Sequence, residues 1–325
     1  MDQSAKEKLK LIFGFNQFRG TQEAIVENVL KGKNTFVIMP TGAGKSLCYQ
    51  FPAVVSEGTA IVISPLIALM KNQVDQLNAF GVNAYFLNST LNKSETNKVK
   101  KEVLSGKTKL LYVAPESLTK EENMLFLKEA KLSFVAIDEA HCISEWGHDF
   151  RPEYRKIKSI IAQVGSHLPI VALTATATPK VLEDIKLKLG FTQYQIFRKS
   201  FKRENISIFN DEVADKYQRV LDLLKHNQNS GIIYTRTRKE AENLTEFLQK
   251  NKLKNVDFFH AGLSVKEKHQ KQEKWLKSNQ NVLISTNAFG MGIDKENVRF
   301  VIHLSPAPSL ENYYQEIGRA GRDGE

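Results

Sequence analysis

Residues 137–154 read IDEAHCISEWGHDFRPEY, from Ile137 to Tyr154. The run Ser133-Phe134-Val135-Ala136-Ile137 just before them is β-rich and delivers two adjacent carboxylates, Asp138 and Glu139, to a strand end. Such a pair suits a Mg²⁺–nucleotide site, where one carboxylate holds the metal's water shell and the next polarises an attacking water. Eight residues past Asp138 begin an indole, an imidazole, a phenyl ring and a guanidinium: Trp146, His148, Phe150 and Arg151. Flat side chains stack on any base and arginine clamps phosphate, so this second group suits single-stranded nucleic acid. Trp146, Phe150 and Tyr154 also fall four apart, the spacing of a buried helical stripe. Gly147, His148, Asp149, Arg151 and Pro152 break that stripe with polar and helix-terminating residues, which favours an exposed aromatic loop.

A hundred residues upstream, Phe36-Val37-Ile38-Met39-Pro40-Thr41-Gly42-Ala43-Gly44-Lys45-Ser46 reads as strand, tight loop and helix start. Thr41, Gly42, Ala43 and Gly44 can curl their backbone N–H groups around phosphates at a helix N-terminus, where the dipole favours anions. Lys45 is placed to reach the β/γ-phosphates, and the Ser46 hydroxyl to ligate Mg²⁺ together with Asp138. A Gly-rich turn that merely connects would not need the Lys-Ser pair. Near the C-terminus, Gln315-Glu316-Ile317-Gly318-Arg319-Ala320-Gly321-Arg322 sets two arginines three apart on a Gly-spaced turn. Arginines brought to a nucleotide stabilise charge building on the γ-phosphoryl oxygens; a solvated basic helix end is the plainer alternative. His141 can be a relay or a packing histidine, and residue type alone does not choose.

Between these motifs, short β-branched runs alternate with polar-faced helical stretches, the pattern of parallel sheets with crossover helices. Strands are expected at 35–39, 60–64, 84–87, 110–113, 134–138 and 170–174, then at 206–209, 231–234, 256–259, 281–285 and 300–304. Helices are expected at 45–55, 68–80, 94–104 and 179–189, then at 215–226, 239–250, 265–276 and 309–317. A basic, irregular stretch, Arg198–Asn205, separates the two series. The expected fold class is therefore α/β, with two domains at 1–199 and 200–325, each a mainly parallel sheet flanked by helices.

At 325 residues, 42% hydrophobic and 25% charged, the chain can build two ordinary cores. No apolar run approaches the ~20 residues that span a bilayer, and the N-terminus lacks a signal-peptide core, so no membrane partner and a cytoplasmic location are expected. Cys48 and Cys142 are too few for a disulfide framework or a four-thiolate zinc site. The net charge of +10 favours a polyanionic partner. From Ser200 onward 20 basic residues face 17 acidic ones, and the first 199 residues hold 26 and 19, so the excess lies mainly in the first half. The chain ends at Glu325 directly after a Gly-rich turn, without a closing strand, and is read as truncated there.

Taken together and in order, these residues resemble a RecQ-type superfamily 2 DNA helicase over essentially the whole chain. Phe15-Asn16-Gln17-Phe18-Arg19-Gly20-Thr21-Gln22 is similar to the family's adenine-recognition motif, with Phe15 stacking and Arg19 and Gln22 as base contacts. Residues 39–46, 64–73, 114–116, 138–141, 173–177, 231–238, 288–295 and 315–322 resemble its successive helicase motifs, and Trp146–Arg151 its aromatic-rich loop. Phe201–Asn205 resembles its interdomain linker. The resemblance implies two tandem RecA-like domains and ATP with Mg²⁺ as cofactors. It also implies ATP-driven 3′→5′ movement on single-stranded and tailed duplex DNA in repair and recombination, by a protein expected to be a monomer. ATP would lie with Lys45 on its phosphates, Mg²⁺ on Ser46 and Asp138, and Glu139 activating water. Gln315, Arg319 and Arg322 would complete the site from the second domain, while the aromatic loop reports strand occupancy. The family's zinc-binding and winged-helix module would follow Glu325. An RNA helicase of the DEAH kind, or an ATP-gated clamp without productive unwinding, are the alternatives the motifs leave open.

Overall fold

A computed structural model describes residues 3–325 apart from 148, 228, 288 and 290–294. The expected strand contact His148 and most of the motif at 288–295 thus lie outside the described residues. The chain divides into two compact units, Met1–Ser200 and Phe201–Glu325.

In the first unit, helices α1 (Gln3–Phe13) and α2 (Gln22–Leu30) precede strand β1 (Thr35–Ile38) and helix α3 (Leu47–Val55). The alternation continues through β2 (Thr59–Ile63), α4 (Ile67–Ala79), β3 (Ala84–Leu87), α5 (Lys93–Leu104), β4 (Leu110–Val113) and α6 (Glu121–Glu129). It closes with β5 (Leu132–Ile137), α7 (Ile157–Gly165), β6 (Ile170–Thr174), α8 (Pro179–Leu189) and β7 (Gln195–Arg198). The seven strands pair in the order β3-β4-β2-β5-β6-β1-β7, every described pairing parallel. β1, β2, β4 and β6 are buried at every residue, because helices cover both faces and leave no side for polar residues. Two of these helices start on a side chain that accepts from their free N–H groups. Asn92 and Glu95 form a reciprocal cap on α5, and Thr178 caps α8 ahead of Pro179.

The order of this sheet positions the chemistry. β1, β6 and β5 are neighbours and parallel, so the loops leaving their C-terminal ends emerge along one edge. The phosphate loop follows β1, Thr174 ends β6, and Asp138 follows β5. In open parallel sheets that edge is where ligands bind.

The second unit runs α9 (Lys216–Lys225), β8 (Gly231–Tyr234), α10 (Arg238–Lys250), β9 (Val256–Phe259), α11 (Val265–Lys277), β10 (Val282–Ser285), β11 (Phe300–His303) and α12 (Leu310–Ile317). Its strands pair in parallel in the order β11-β8-β10-β9. The two-residue period of a strand splits its apolar residues between two cores. Ile233, Val282 and Ile284 pack into one, while Ile232, Tyr234 and Leu283 join Trp275 and Phe289 in the other.

Two differences from the sequence reading stand out. Residues 206–209, expected as a strand, are irregular, with Ile208 65% and Phe209 87% exposed. Their β-branched character finds no neighbouring strand among the described residues, and without a ladder the run has nothing to hold it extended. Conversely β7 extends the first sheet into a stretch that alternation did not single out, since it is an edge strand with its two end residues exposed. Among the described residues no helix is long and apolar enough to cross a membrane.

Candidate nucleotide and strand sites

The phosphate loop turns back on itself through left-handed backbone at Gly42 and Gly44, with φ of +79° and +80°. A Cβ on Gly44 would lie 2.4 Å from Gln22 Nε2, so the site excludes any other residue on two counts. Gln22 is buried at the start of α2 and both ends of its amide are committed. Its Oε1 accepts from the Arg19 N–H at 2.7 Å, and its Nε2 donates to the carbonyls of Gly44 at 3.1 Å and Ala43 at 3.4 Å. Gln22, expected as a base contact, is therefore placed as a brace between the adenine-motif segment and the phosphate loop. Phe15 remains 43% exposed with the Arg19 guanidinium 5.9 Å from its ring centroid, a flat surface available for stacking. Lys45 folds back to donate to the Met39 carbonyl at 3.0 Å. Ser46 precedes α3 and bonds the buried Tyr49 hydroxyl.

At the end of β5, Asp138 keeps a part-exposed edge, yet protein atoms crowd its carboxyl. That burial, then the neighbouring Glu139 charge, pushes its pKa up to about 7 against the opposing pull of Lys45 and His141. The parallel order of β5, β6 and β1 brings this carboxylate to the same sheet edge as the phosphate loop and its Ser46 hydroxyl. A carboxylate and a hydroxyl are hard oxygen donors of the kind that fit Mg²⁺. Glu139 holds left-handed backbone at φ +49°, ψ +47°, uncommon for a residue with a side chain. His141 is fully buried, with Nδ1 3.3 Å from Glu139 Oε2 and 3.0 Å from Thr174 Oγ1. It thus joins the ends of β5 and β6, a link that residue type could not disclose.

Past Ser144 the described residues as far as Arg151 are non-helical, and Tyr154 lies in a short 3₁₀ helix, Pro152–Lys156, so the three spaced aromatics part company. Trp146 is 63% exposed with Lys180 Nζ 3.1 Å from its ring centroid; Phe150 is half-buried beneath Arg155; Tyr154 is 1% exposed and donates to the Asp138 carbonyl at 3.3 Å. Arg151 is spent inside the loop. It donates to Asp149 Oδ2 through Nε at 3.3 Å and Nη2 at 3.2 Å, and through Nη1 to the Pro65 carbonyl at 2.9 Å. That last bond ties the aromatic loop to the segment after β2. His141, Cys142 and Asp149 bring ligand atoms within 4.8 Å of one another. The Arg151 guanidinium already occupies Asp149 there, and burial, then Asp149, drives the Cys142 thiol up, away from the thiolate a metal would need.

In the second unit, α12 delivers Gln315 half-buried and runs into the turn that carries Arg319 and Arg322. Arg319 is 5% exposed and hydrogen-bonds the Tyr234 hydroxyl at the end of β8, with Arg322 near enough to act on the same group. Tyr234 itself donates to the Phe289 carbonyl at 3.0 Å. The turn is held from the linker. Arg203 Nη2 donates to the carbonyls of Gly321 and, at 3.4 Å, Ala320, while Asn205 Nδ2 donates to Gly321 at 2.8 Å. Sequence reading passed over Arg203 and Asn205, because their partners lie more than a hundred residues away. Lys295, the described end of the motif at 288–295, is buried and donates to the carbonyls of Trp275, Leu276 and Ser278 at the close of α11.

Comparison with known proteins fits this arrangement. Residues 19–185 match the family described as DEAD/DEAH box helicase, and residues 215–324 match the helicase conserved C-terminal domain. The ATP-dependent DNA helicase RecQ of Pasteurella multocida (strain Pm70) is 45% identical over 99% of this chain and 51% of its own length. The chain spans about half the length of the curated relatives it matches. Two solved structures share the fold. The DUF1998 helicase MrfA bound to DNA has a TM-score of 0.77 at 18% identity, covering 99% of this chain and 47% of that one. Mss116p bound to single-stranded RNA and AMP-PNP has a TM-score of 0.78 at 18% identity, covering 100% of this chain and 71% of that one. With tandem parallel-sheet units, a phosphate loop and an Asp-Glu-Ala-His strand end in place, the chain belongs to the DEAD/DEAH box helicases, similar over nearly its whole length to those named RecQ.

Proposed function

We propose that this chain is the motor core of a RecQ-type DNA helicase, hydrolysing ATP to move 3′→5′ along single-stranded and tailed duplex DNA in repair and recombination. The observation that carries the reading is the parallel order of β5, β6 and β1, which brings the phosphate loop and the acidic pair to one sheet edge. In this reading the loop N–H groups of residues 41–46 hold the nucleotide's phosphates, and Phe15 stacks on its base beside Arg19. Lys45 exchanges the Met39 carbonyl for the γ-phosphate. Ser46 and Asp138 hold Mg²⁺, which when bound draws charge from the phosphate oxygens. Glu139 takes the proton of the water that attacks the γ-phosphorus, and His141 fixes the orientation of Glu139 from the Thr174 side. Arg319 and Arg322 stabilise the charge that builds on the transferred group, with Gln315 on the same turn. Trp146 and Phe150 stack on the bases of a strand, and Arg151 holds their loop in shape.

The test is ATP hydrolysis by the chain alone, with single-stranded DNA, and with RNA of the same sequence. Turnover that rises with DNA, rises less with RNA and vanishes in Lys45→Ala is the expected result. Nucleotide-independent strand binding should stay within a few-fold in that variant. Equal stimulation by RNA would transfer the reading to an RNA helicase, and binding without phosphate release would leave an ATP-gated clamp.

A further inference from the structure

We infer that Arg203 and Asn205 are positioning residues for the Arg319–Arg322 turn, holding the backbone from which both arginines project. The inference rests on the reading of those arginines as groups that act on the nucleotide. Arg203 and Asn205 belong to the linker Phe201–Asn205, yet their side chains reach the two peptide carbonyls that lie between the arginines. Arg203 Nη2 donates to Ala320 and Gly321, and Asn205 Nδ2 donates to Gly321. The pair is cross-braced, since Arg203 Nε donates to Asn205 Oδ1 at 3.2 Å.

Three features set this clamp apart from an ordinary surface contact. Gly321 is in left-handed backbone, φ +56°, and a Cβ there would lie 2.5 Å from Asn205 Nδ2 and 2.6 Å from the Glu325 carbonyl oxygen, so the turn favours glycine and lets Asn205 approach closely. From the other side the Gly321 N–H donates to the Val298 carbonyl at 2.9 Å, so both faces of this peptide are fixed. Arg203 is half-buried on carbonyls, with burial drawing its pKa down and no carboxylate raising it. A guanidinium held by neutral dipoles gains less than one in an ion pair, so its placement serves geometry better than stability. Its Nη2 reaches both carbonyls while its Nε holds Asn205, a two-point geometry that the single ammonium of a lysine cannot reproduce. Arg319 and Arg322 flank the two carbonyls the clamp holds, so a shift of the 320–321 peptide moves the backbone from which each guanidinium projects.

The experiment compares ATP hydrolysis at saturating single-stranded DNA for the unaltered chain, Arg203→Ala, Arg203→Lys, Asn205→Ala, Arg319→Ala and Arg322→Ala. Thermal melting is measured throughout, as is affinity for ADP with and without aluminium fluoride. Misplacing a catalytic group by about 1 Å costs up to about 100-fold in rate, and smaller shifts cost less. Arg203→Ala and Asn205→Ala should therefore lower kcat by a factor in that range while KM and ADP affinity stay within about threefold. Their affinity for the aluminium fluoride complex should fall with kcat, and Arg203→Lys should recover only part of the loss. Adding Arg203→Ala to Arg322→Ala should cost less than it does alone, because one route serves both. Should Arg203→Ala fold poorly, Asn205→Ala, which leaves the guanidinium in place, carries the comparison. Full kcat in folded Asn205→Ala and Arg203→Ala, alongside collapse in Arg319→Ala and Arg322→Ala, overturns the inference alone. Loss of kcat only in proportion to lost folded protein does the same. Full kcat in Arg319→Ala and Arg322→Ala removes the reading beneath it, and the inference with it.

Discussion

Glu139 shows how one residue can be held against its own preference. Left-handed backbone costs a residue with a Cβ about 1–3 kcal/mol, and it persists only where the surroundings impose it. Here the imposition comes from β5 ending at Ile137, the Asp138 carboxylate accepting the Glu139 N–H at 3.0 Å, and His141 beside the Glu139 carboxylate. In the proposed mechanism this conformation turns the carboxylate toward the water it would activate, at a cost in stability. Glu139→Gly should abolish hydrolysis yet melt no lower than Glu139→Gln, which keeps the strain and loses only the charge. A glycine variant melting several degrees below the glutamine variant would show that the conformation is unstrained. Gly44 poses the converse case. Gly44→Ala meets both the φ of +80° and the Gln22 amide, so nucleotide binding should be lost. Adding Gln22→Ala removes the clash and leaves the backbone cost, and should restore binding only in part, as titration with a fluorescent nucleotide would report.

At the scale of the element, the loop between Ser144 and Tyr154 divides labour among its aromatics. Tyr154 is core and reaches the backbone of Asp138, whereas Trp146 stands in solvent under a lysine. Tyr154→Ala should therefore cost about 3–5 kcal/mol, as large buried rings do. Trp146→Ala should leave the melting temperature unchanged. Stacking on a base is worth roughly 1–3 kcal/mol per ring, so losing Trp146 weakens strand binding only modestly. The loop is pinned at Arg151 to Pro65 and follows His141, which contacts Glu139, so under the proposed function a strand that orders it would act on that carboxylate. DNA-stimulated hydrolysis in Trp146→Ala and Phe150→Ala should fall far more than DNA affinity or unstimulated hydrolysis. Intact stimulation at intact affinity would sink this coupling. The four-residue spacing in the sequence pointed to two readings at once, and each holds for part of the segment, because a loop that folds back can bury its last ring and expose its first. What the spacing could not carry was the role of Arg151, whose partners Asp149 and Pro65 are a matter of tertiary placement.

In the whole molecule, the parallel sheets were legible wherever strands are buried on both faces, since such runs must be apolar and β-branched throughout. Legibility failed at the margins, where β7 is part-exposed and residues 206–209 carry strand-like residues without a partner. The phosphate loop and acidic pair were legible because each is contiguous in sequence. The braces made by Gln22, Thr174, Arg203 and Asn205 were not, because they span from 21 to 118 residues. The same division predicts how the protein unfolds. Each unit has apolar clusters of its own, one around Val37, Phe51 and Leu173, the others around Ile233 and Leu244 and around Trp275 and Phe289. Separate cores give two cooperative transitions, and the four-stranded unit, with fewer buried residues, should melt first. Every group placed on the phosphates and on Mg²⁺, from residues 41–46 to Asp138, lies in the first unit. ADP with Mg²⁺ at a hundred times its dissociation constant should then add about 2.7 kcal/mol to the later transition. The earlier one should move little, because without a transferring phosphoryl group Arg319 and Arg322 have little charge to stabilise. Scanning calorimetry of the intact chain, with and without ADP and Mg²⁺, decides the matter. Two transitions with only the later one raised is the expected record. A single transition shifting as a whole would mean that the two cores unfold as one cooperative unit and would overturn the expectation of two.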